Sequence, residues 1–125
     1  MLVSIIDNSS VTLDEWRPGV LTRKLAGAFS KVKSLFFMEQ TLYSGKGAPL
    51  HVHQVEELLY IKSGALKVSI GTPDEVQEFN ASTNQTVVIP SSYPHSFVNE
   101  TDSETVLLVF FPHSDPIDLN ITKYL

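Results

Sequence analysis

Apolar and polar residues alternate over short runs along this chain, and clusters of Gly, Pro, Asn, Asp and Ser separate the runs. A period of two marks half-buried strands, and many short strands at this spacing favour a sandwich or barrel. Residues 2–6 form a short apolar run before the turn cluster Asp7-Asn8-Ser9-Ser10. Trp16-Arg17-Pro18-Gly19 reads as a second turn or an edge, followed by a strand over 20–25. Residues 32–43, rich in apolar and aromatic side chains, predict a long strand that Ser44-Gly45-Lys46-Gly47-Ala48-Pro49 breaks. Two strands over 57–62 and 66–70 are joined by a tight turn at Ser63-Gly64. A polar loop over 80–85 precedes strands at 86–90, 95–99 and 105–112. The tail, 118–125, has room for one helical turn or one strand. No amphipathic helical stretch of useful length appears, so the predicted fold class is all-β.

Composition narrows the function without naming it. A chain of 125 residues is expected to form one domain, 1–125, with one real core. Hydrophobic residues make up 42% and charged residues 18%, which is the balance of a globular chain. The net charge is −5 with no basic block, so neither nucleic acid nor an anionic membrane is an expected partner. Cysteine is absent, which excludes disulfides, thiolate metal sites and cysteine nucleophiles. The opening residues carry no basic region ahead of an apolar stretch, so the expected location is the cytoplasm.

The candidate chemistry lies in two short segments. His51-Val52-His53 is followed, after three residues, by Glu57, and Pro90-Ser91-Ser92-Tyr93-Pro94-His95 comes later. Three of the four histidines in the chain fall in this pattern. Side chains on a strand alternate between faces, so His51, His53 and Glu57 share parity and can point to one interior. His95 must join them from a neighbouring strand. Imidazole nitrogen with carboxylate oxygen suits first-row divalent metals.

These residues carry a resemblance. Gly45-x5-His51-x-His53-x3-Glu57-x6-Gly64 resembles the first motif of the cupin superfamily, with every signature position filled. Asn84, Pro90, Ser92, His95 and Asn99 take the places of the second motif, Asn84 and Ser92 replacing its glycines. The motifs span 45–64 and 84–99, and the flanking strands extend the likeness to small single-domain bacterial cupins. The resemblance implies a double-stranded β-helix, or jelly-roll, barrel. It also implies a divalent metal held by His51, His53, Glu57 and His95. Fe, Mn, Ni, Zn and Cu all fit that donor set. Cupins include dioxygenases, isomerases, lyases, decarboxylases and binding proteins, so membership alone does not give a reaction.

Two functions follow as expectations. The first is a metal-dependent enzyme, resembling the quercetin dioxygenase group, acting on a small metabolite that chelates through oxygen. The alternative is a non-enzymatic binding or sensing module. A sugar isomerase or epimerase fits less well, because such relatives often work without metal. On the 32–43 strand one face carries Phe36, Met38, Gln40 and Leu42. If that face is inward, Gln40 is its polar group and a candidate substrate contact. Phe97 and Asn99 share parity with His95, and Tyr93 is expected at the barrel mouth. The apolar lining suits an aromatic or apolar metabolite. Tyr60 is expected between layers, His113 at the surface, Trp16 in packing. Arg17 and Arg23 are expected to be solvated or ion-paired. Apolar strand sequence in excess of what one small barrel buries predicts a homodimer, with the N-terminal strand at its interface.

Overall fold

The computed structural model describes residues 3–118 and 120–125. Two antiparallel sheets stack face to face. The larger holds, in spatial order, β1 (Asp14–Arg17), β2 (Val20–Ala26), β3 (Phe36–Leu42), β10 (Thr105–Phe111), β5 (Glu57–Ser63) and β8 (Thr86–Ile89). The smaller runs β11 (Thr122–Tyr124), β4 (Gly47–His53), β9 (His95–Val98), β6 (Ala65–Thr72) and β7 (Glu75–Ser82). Two 3-10 turns, Asn8–Ser10 and Ala28–Ser30, are the helical elements among the described residues. The all-β jelly-roll is therefore the observed fold.

Strict alternation builds the core. On β3 the inward residues Phe36, Met38, Gln40 and Leu42 are buried and those between them are half-covered. Leu59 and Ile61 of β5, Val68 of β6, and Leu107 and Val109 of β10 meet them with no exposed surface. The two sheets join through these side chains and are not hydrogen-bonded into a closed barrel. A groove of about 500 Å³, lined by Val68, Phe79 and Val87 among others, separates the β7 edge from the β8 edge.

Several boundaries differ from the sequence pattern, each for a local reason. The long strand begins at Phe36, because Lys31 adopts a left-handed conformation (φ 66°) after the second 3-10 turn. At Trp16-Arg17-Pro18-Gly19 the expected edge and turn both form: Trp16 and Arg17 lie on β1, the edge strand of the larger sheet, with a register shift between Glu15 and Arg17, and Pro18-Gly19 turns into β2. Strand β4 starts at Gly47, inside the expected break. A Cβ there would overlap the Phe97 carbonyl oxygen, so only glycine lets β4 approach β9. Strand β7 begins before the expected loop and ends at Ser82. The tail forms β11, a strand, along β4. Of the N-terminal apolar run, Leu2 lies outside the described residues, and residues 3–6 take no regular structure where a strand was expected. Tyr60 lies on the outer side of β5, not between layers, and its hydroxyl donates to Asn84 Oδ1 at 3.0 Å. Asn84 and Ser92, which replace the two motif glycines, both have positive φ, 66° and 67°. The glycine geometry is thus kept by residues that adopt it at a cost.

Candidate metal centre

His51 and His53 occupy alternate positions of β4, and both turn inward. The β4–β9 ladder places His95 opposite His51. Between Ala48 and His51 the register shifts, and Pro49, which has no N–H to give to a ladder, sits in that irregularity. Glu57 arrives differently. The chain leaves the smaller sheet after His53, and Glu57 opens β5 in the larger one. Shared parity thus accounts for the two histidines, while the carboxylate reaches the site from the facing sheet. Donor atoms of all four residues lie within 4.8 Å of one another, and all four side chains are buried.

Each imidazole is fixed at Nδ1. That nitrogen donates to Pro49 O at 2.6 Å in His51 and to Tyr93 O at 2.8 Å in His95. His53 Nδ1 donates to Thr122 Oγ1 at 2.6 Å, and that hydroxyl in turn donates to Pro116 O. Nδ1–H on every ring leaves every Nε2 a lone-pair donor toward the centre. His53 Nε2 is buried with no hydrogen-bond partner, 3.6 Å from Glu57 Oε1. Glu57 Oε1 also lies 3.0 Å from His95 Nε2. Two acceptors facing each other in a dry pocket are reconciled by a cation between them, and an orphaned buried nitrogen asks for the same. The residues fit a divalent metal.

The electrostatics agree. Burial, and next the neighbouring His95, push His51 down to about 4. Burial first, then His95, push His53 down to about 4 as well. Both rings are therefore neutral at physiological pH, the form that binds metal. Three neutral imidazoles and one carboxylate would leave a divalent ion with a net charge near +1.

The cavity in front of the ligands encloses about 40 Å³. Its walls include Arg17, Gln40, Phe97, Thr122 and Tyr124. Its lining mixes these groups with the apolar side chains Trp16, Met38, Phe111 and Ile117. A larger apolar groove, about 540 Å³ beside Leu35, Phe37 and Phe110, holds no ligating cluster, and the four ligands mark the smaller cavity as the site.

The remaining candidates divide. Gln40 is buried, lines the cavity, and donates through Nε2 to Thr22 Oγ1 at 3.1 Å. Phe97 is a wall. Tyr93 is more than half exposed and is not among the lining residues; its carbonyl serves the site, not its ring. Asn99 is fully buried but points elsewhere. Its Nδ2 donates to Leu42 O and Ser103 O, and its Oδ1 accepts from Thr101, which pins a loop. His113 Nδ1 accepts from the backbone of Asp115. Trp16 packs on the core and also lines the cavity. Arg23 is paired with Glu39 at 3.4 Å, whereas Arg17 faces the site. Thr122 and Tyr124 carry no sequence motif. They reach the site because β11 pairs Thr122 with His53 and Tyr124 with His51.

Comparison with known proteins accords with this picture. The chain resembles polyketide cyclase RemF from Streptomyces resistomycificus at 20% identity over 89% of this chain and 80% of that one, with a TM-score of 0.77. It resembles a point variant of the oxalate decarboxylase of B. subtilis at 20% identity and a TM-score of 0.81, over 100% of this chain but 33% of that one. It resembles KdgF from Halomonas sp. at 19% identity over 93% and 99% of the two chains, with a TM-score of 0.76. At these identities the likeness is one of fold. The chain spans about a third of the length of the oxalate decarboxylase. No match is found among curated proteins. Among the described residues no helix is long and apolar enough to cross a membrane. Residues 38–111, which contain all four candidate ligands, match the cupin domain, and the chain belongs to that family.

Proposed function

We propose that this protein is a metal-dependent enzyme of oxygenase type, acting on a small metabolite that chelates through two oxygens. One observation carries the reading: four buried donors converge, each imidazole held at Nδ1 so that its Nε2 faces the others. A divalent ion bound there supplies Lewis acidity, polarising a bound oxygen and lowering its pKa. His51, His53, Glu57 and His95 would hold the ion. Phe97, Met38 and Phe111 give the cavity apolar walls that limit water, and Gln40 offers an amide to a bound ligand. A second reading, a binding module, draws support from the same wall. Apart from the ligands, its only ionisable groups are Arg17 and Tyr124, so there is no separate acid/base pair.

The first test is elemental analysis of protein purified without chelator. Near-stoichiometric divalent metal is expected, sharply reduced in His53→Ala, and equal content in the two proteins would reject the ligand set. Oxygen uptake and product formation are then followed with enols and 2-oxo acids on protein loaded with Fe, Mn, Ni or Zn. Glu57→Ala is the control. Tight binding at the metal without turnover of any compound would favour the binding module.

We also propose that two copies pair through the outer face of the larger sheet. The cross-strand row Phe37–Phe110–Leu58–Val88 runs straight across four strands there, and Phe37 stacks on Phe110 at 4.5 Å. Strand β10 is apolar on both faces, the pattern of a strand covered on both sides. Beside the row, Glu39 is paired within the chain to both Arg23 and Lys62, at 3.4 and 3.3 Å, which holds these long side chains off the apolar strip. Val3 and Ile5, 81% and 95% exposed, add apolar surface for the same partner. Light scattering that gave a monomer mass at micromolar concentration would refute the pairing.

A further inference from the structure

Arg17 is the charged group of the cavity that nothing yet explains. Among the described residues no carboxylate lies within 4.0 Å of its guanidinium, whereas Arg23 has Glu39. Its Nη1 donates to Gly47 O at 3.3 Å and its Nη2 to Tyr124 Oη at 3.5 Å. These are two long contacts for a group with five donors, and the rest of the fork is free. The register shift in β1 brings it here. Between Glu15 and Arg17 the ladder slips, and Trp16 and Arg17, successive in sequence, both line the cavity. Irregularities of this kind re-aim side chains near sites.

Charge and size then define a ligand. Glu57 is the only carboxylate in the lining, and it belongs to the ligand cluster. The half-buried guanidinium thus stands at the cavity wall without an anion, in a chain that as a whole carries −5. With a divalent ion held by Glu57 and the three imidazoles, Arg17 would make the cavity positive inside a negative chain, and such a cavity selects anions from solution. A cavity of about 40 Å³ favours a small ligand.

We propose that Arg17, with Tyr124 beside it, is the anion-recognising group of this site. Its substrate is a short carboxylic acid, of the 2-oxo or 2-hydroxy type, with oxygens lying between the guanidinium and the four ligands. The planar fork matches a carboxylate through two parallel N–H···O bonds. Tyr124, which accepts from Arg17, keeps its own proton to donate. This inference rests on the metal reading and deepens it.

Trp16, the only tryptophan, lines the same cavity and reports binding by its fluorescence. Zinc-loaded protein is titrated with pyruvate and with pyruvamide, its neutral isostere. Parent protein is expected to prefer pyruvate at least tenfold. Arg17→Gln is expected to weaken pyruvate about tenfold or more, the worth of a charge-assisted hydrogen bond, and pyruvamide less than twofold. Arg17→Lys, which keeps the charge and loses the fork, is expected to fall between them. Equal loss for both probes in Arg17→Gln would show a structural role only and overturn the proposal. So would unchanged pyruvate binding in that variant, or a parent that binds pyruvate no better than pyruvamide. Zinc content is measured on the same samples. A parent that holds no zinc sinks the metal reading alone, because the pyruvate difference between parent and Arg17→Gln is repeated without metal.

Discussion

Replacing Thr122 by Val tests how much the metal centre owes to a residue that touches no metal. Valine matches threonine in shape and exchanges the hydroxyl for a methyl group, so the packing of β11 on β4 is preserved. Two hydrogen bonds are lost: His53 Nδ1–H loses its acceptor and Pro116 O loses its donor. His53 is then either left with a buried unpaired N–H, or it moves its proton to Nε2 and ceases to be a ligand. The first outcome costs about 1–3 kcal/mol of stability. Either outcome weakens metal binding, by roughly 10- to 100-fold for a lost partner of this type, or about 1.4–2.8 kcal/mol. Competition against a chromophoric chelator gives the zinc affinity of parent, Thr122→Val and Thr122→Ser. Serine keeps the hydroxyl and is expected to stay within a few-fold of the parent. Denaturant unfolding of the metal-free proteins separates affinity from stability. A Thr122→Val protein that folds normally and binds zinc within twofold of the parent would show that the hydroxyl does not orient His53.

Other predictions follow from the same geometry. In metal-free protein His51 and His53 take up protons only near pH 4, against an ordinary value of 6.5 in the unfolded chain. The unfolded state therefore binds more protons as pH falls through this window. Stability is fully present above pH 6.5 and is lost toward pH 4, at about 1.4 kcal/mol per pH unit for each ring at most. Urea unfolding at pH 7, 6 and 5 measures the slope, and a flat profile would contradict the burial of the two rings. Ser92→Gly removes a left-handed conformation that costs a non-glycine residue about 1–2 kcal/mol, and it returns part of that as chain entropy. A net gain of roughly 0.5–1 kcal/mol is expected in denaturant midpoint, and a loss of stability would mean that the Ser92 side chain matters more than its backbone.

Strands such as β3, β5 and β10 were legible in the sequence because each buries one face in a core that repeats every second residue. Strand β7 was not legible, because it is an edge strand with only Ala81 buried, so burial imposed no alternation on it. Strand β11 has three residues, too few for any period. The four ligands stood out because their spacing and chemistry are local. Their supports did not. Thr122, Tyr124 and Arg17 are ordinary residues whose roles come from strand pairing and from an irregularity in β1. Parity placed Gln40 on the inward face, as observed; parity also drew Asn99 toward the site, but its side chain is engaged by the 99–103 loop, and Tyr93 was singled out by its nearness to His95.

The bond between His53 and Thr122 joins residues 69 positions apart. Its closure entropy must be met before the ring is fixed, so this contact belongs to the slow, non-local part of folding. Until β11 docks, His51 and His95 already have their backbone acceptors two residues away, but His53 can still turn. Two of the three imidazoles are thus oriented by local geometry and one by topology. A chain that has collapsed without seating β11 holds an incomplete set of oriented ligands. Orienting the third imidazole therefore depends on the chain's C-terminal strand being seated, a condition that the core strands alone do not meet.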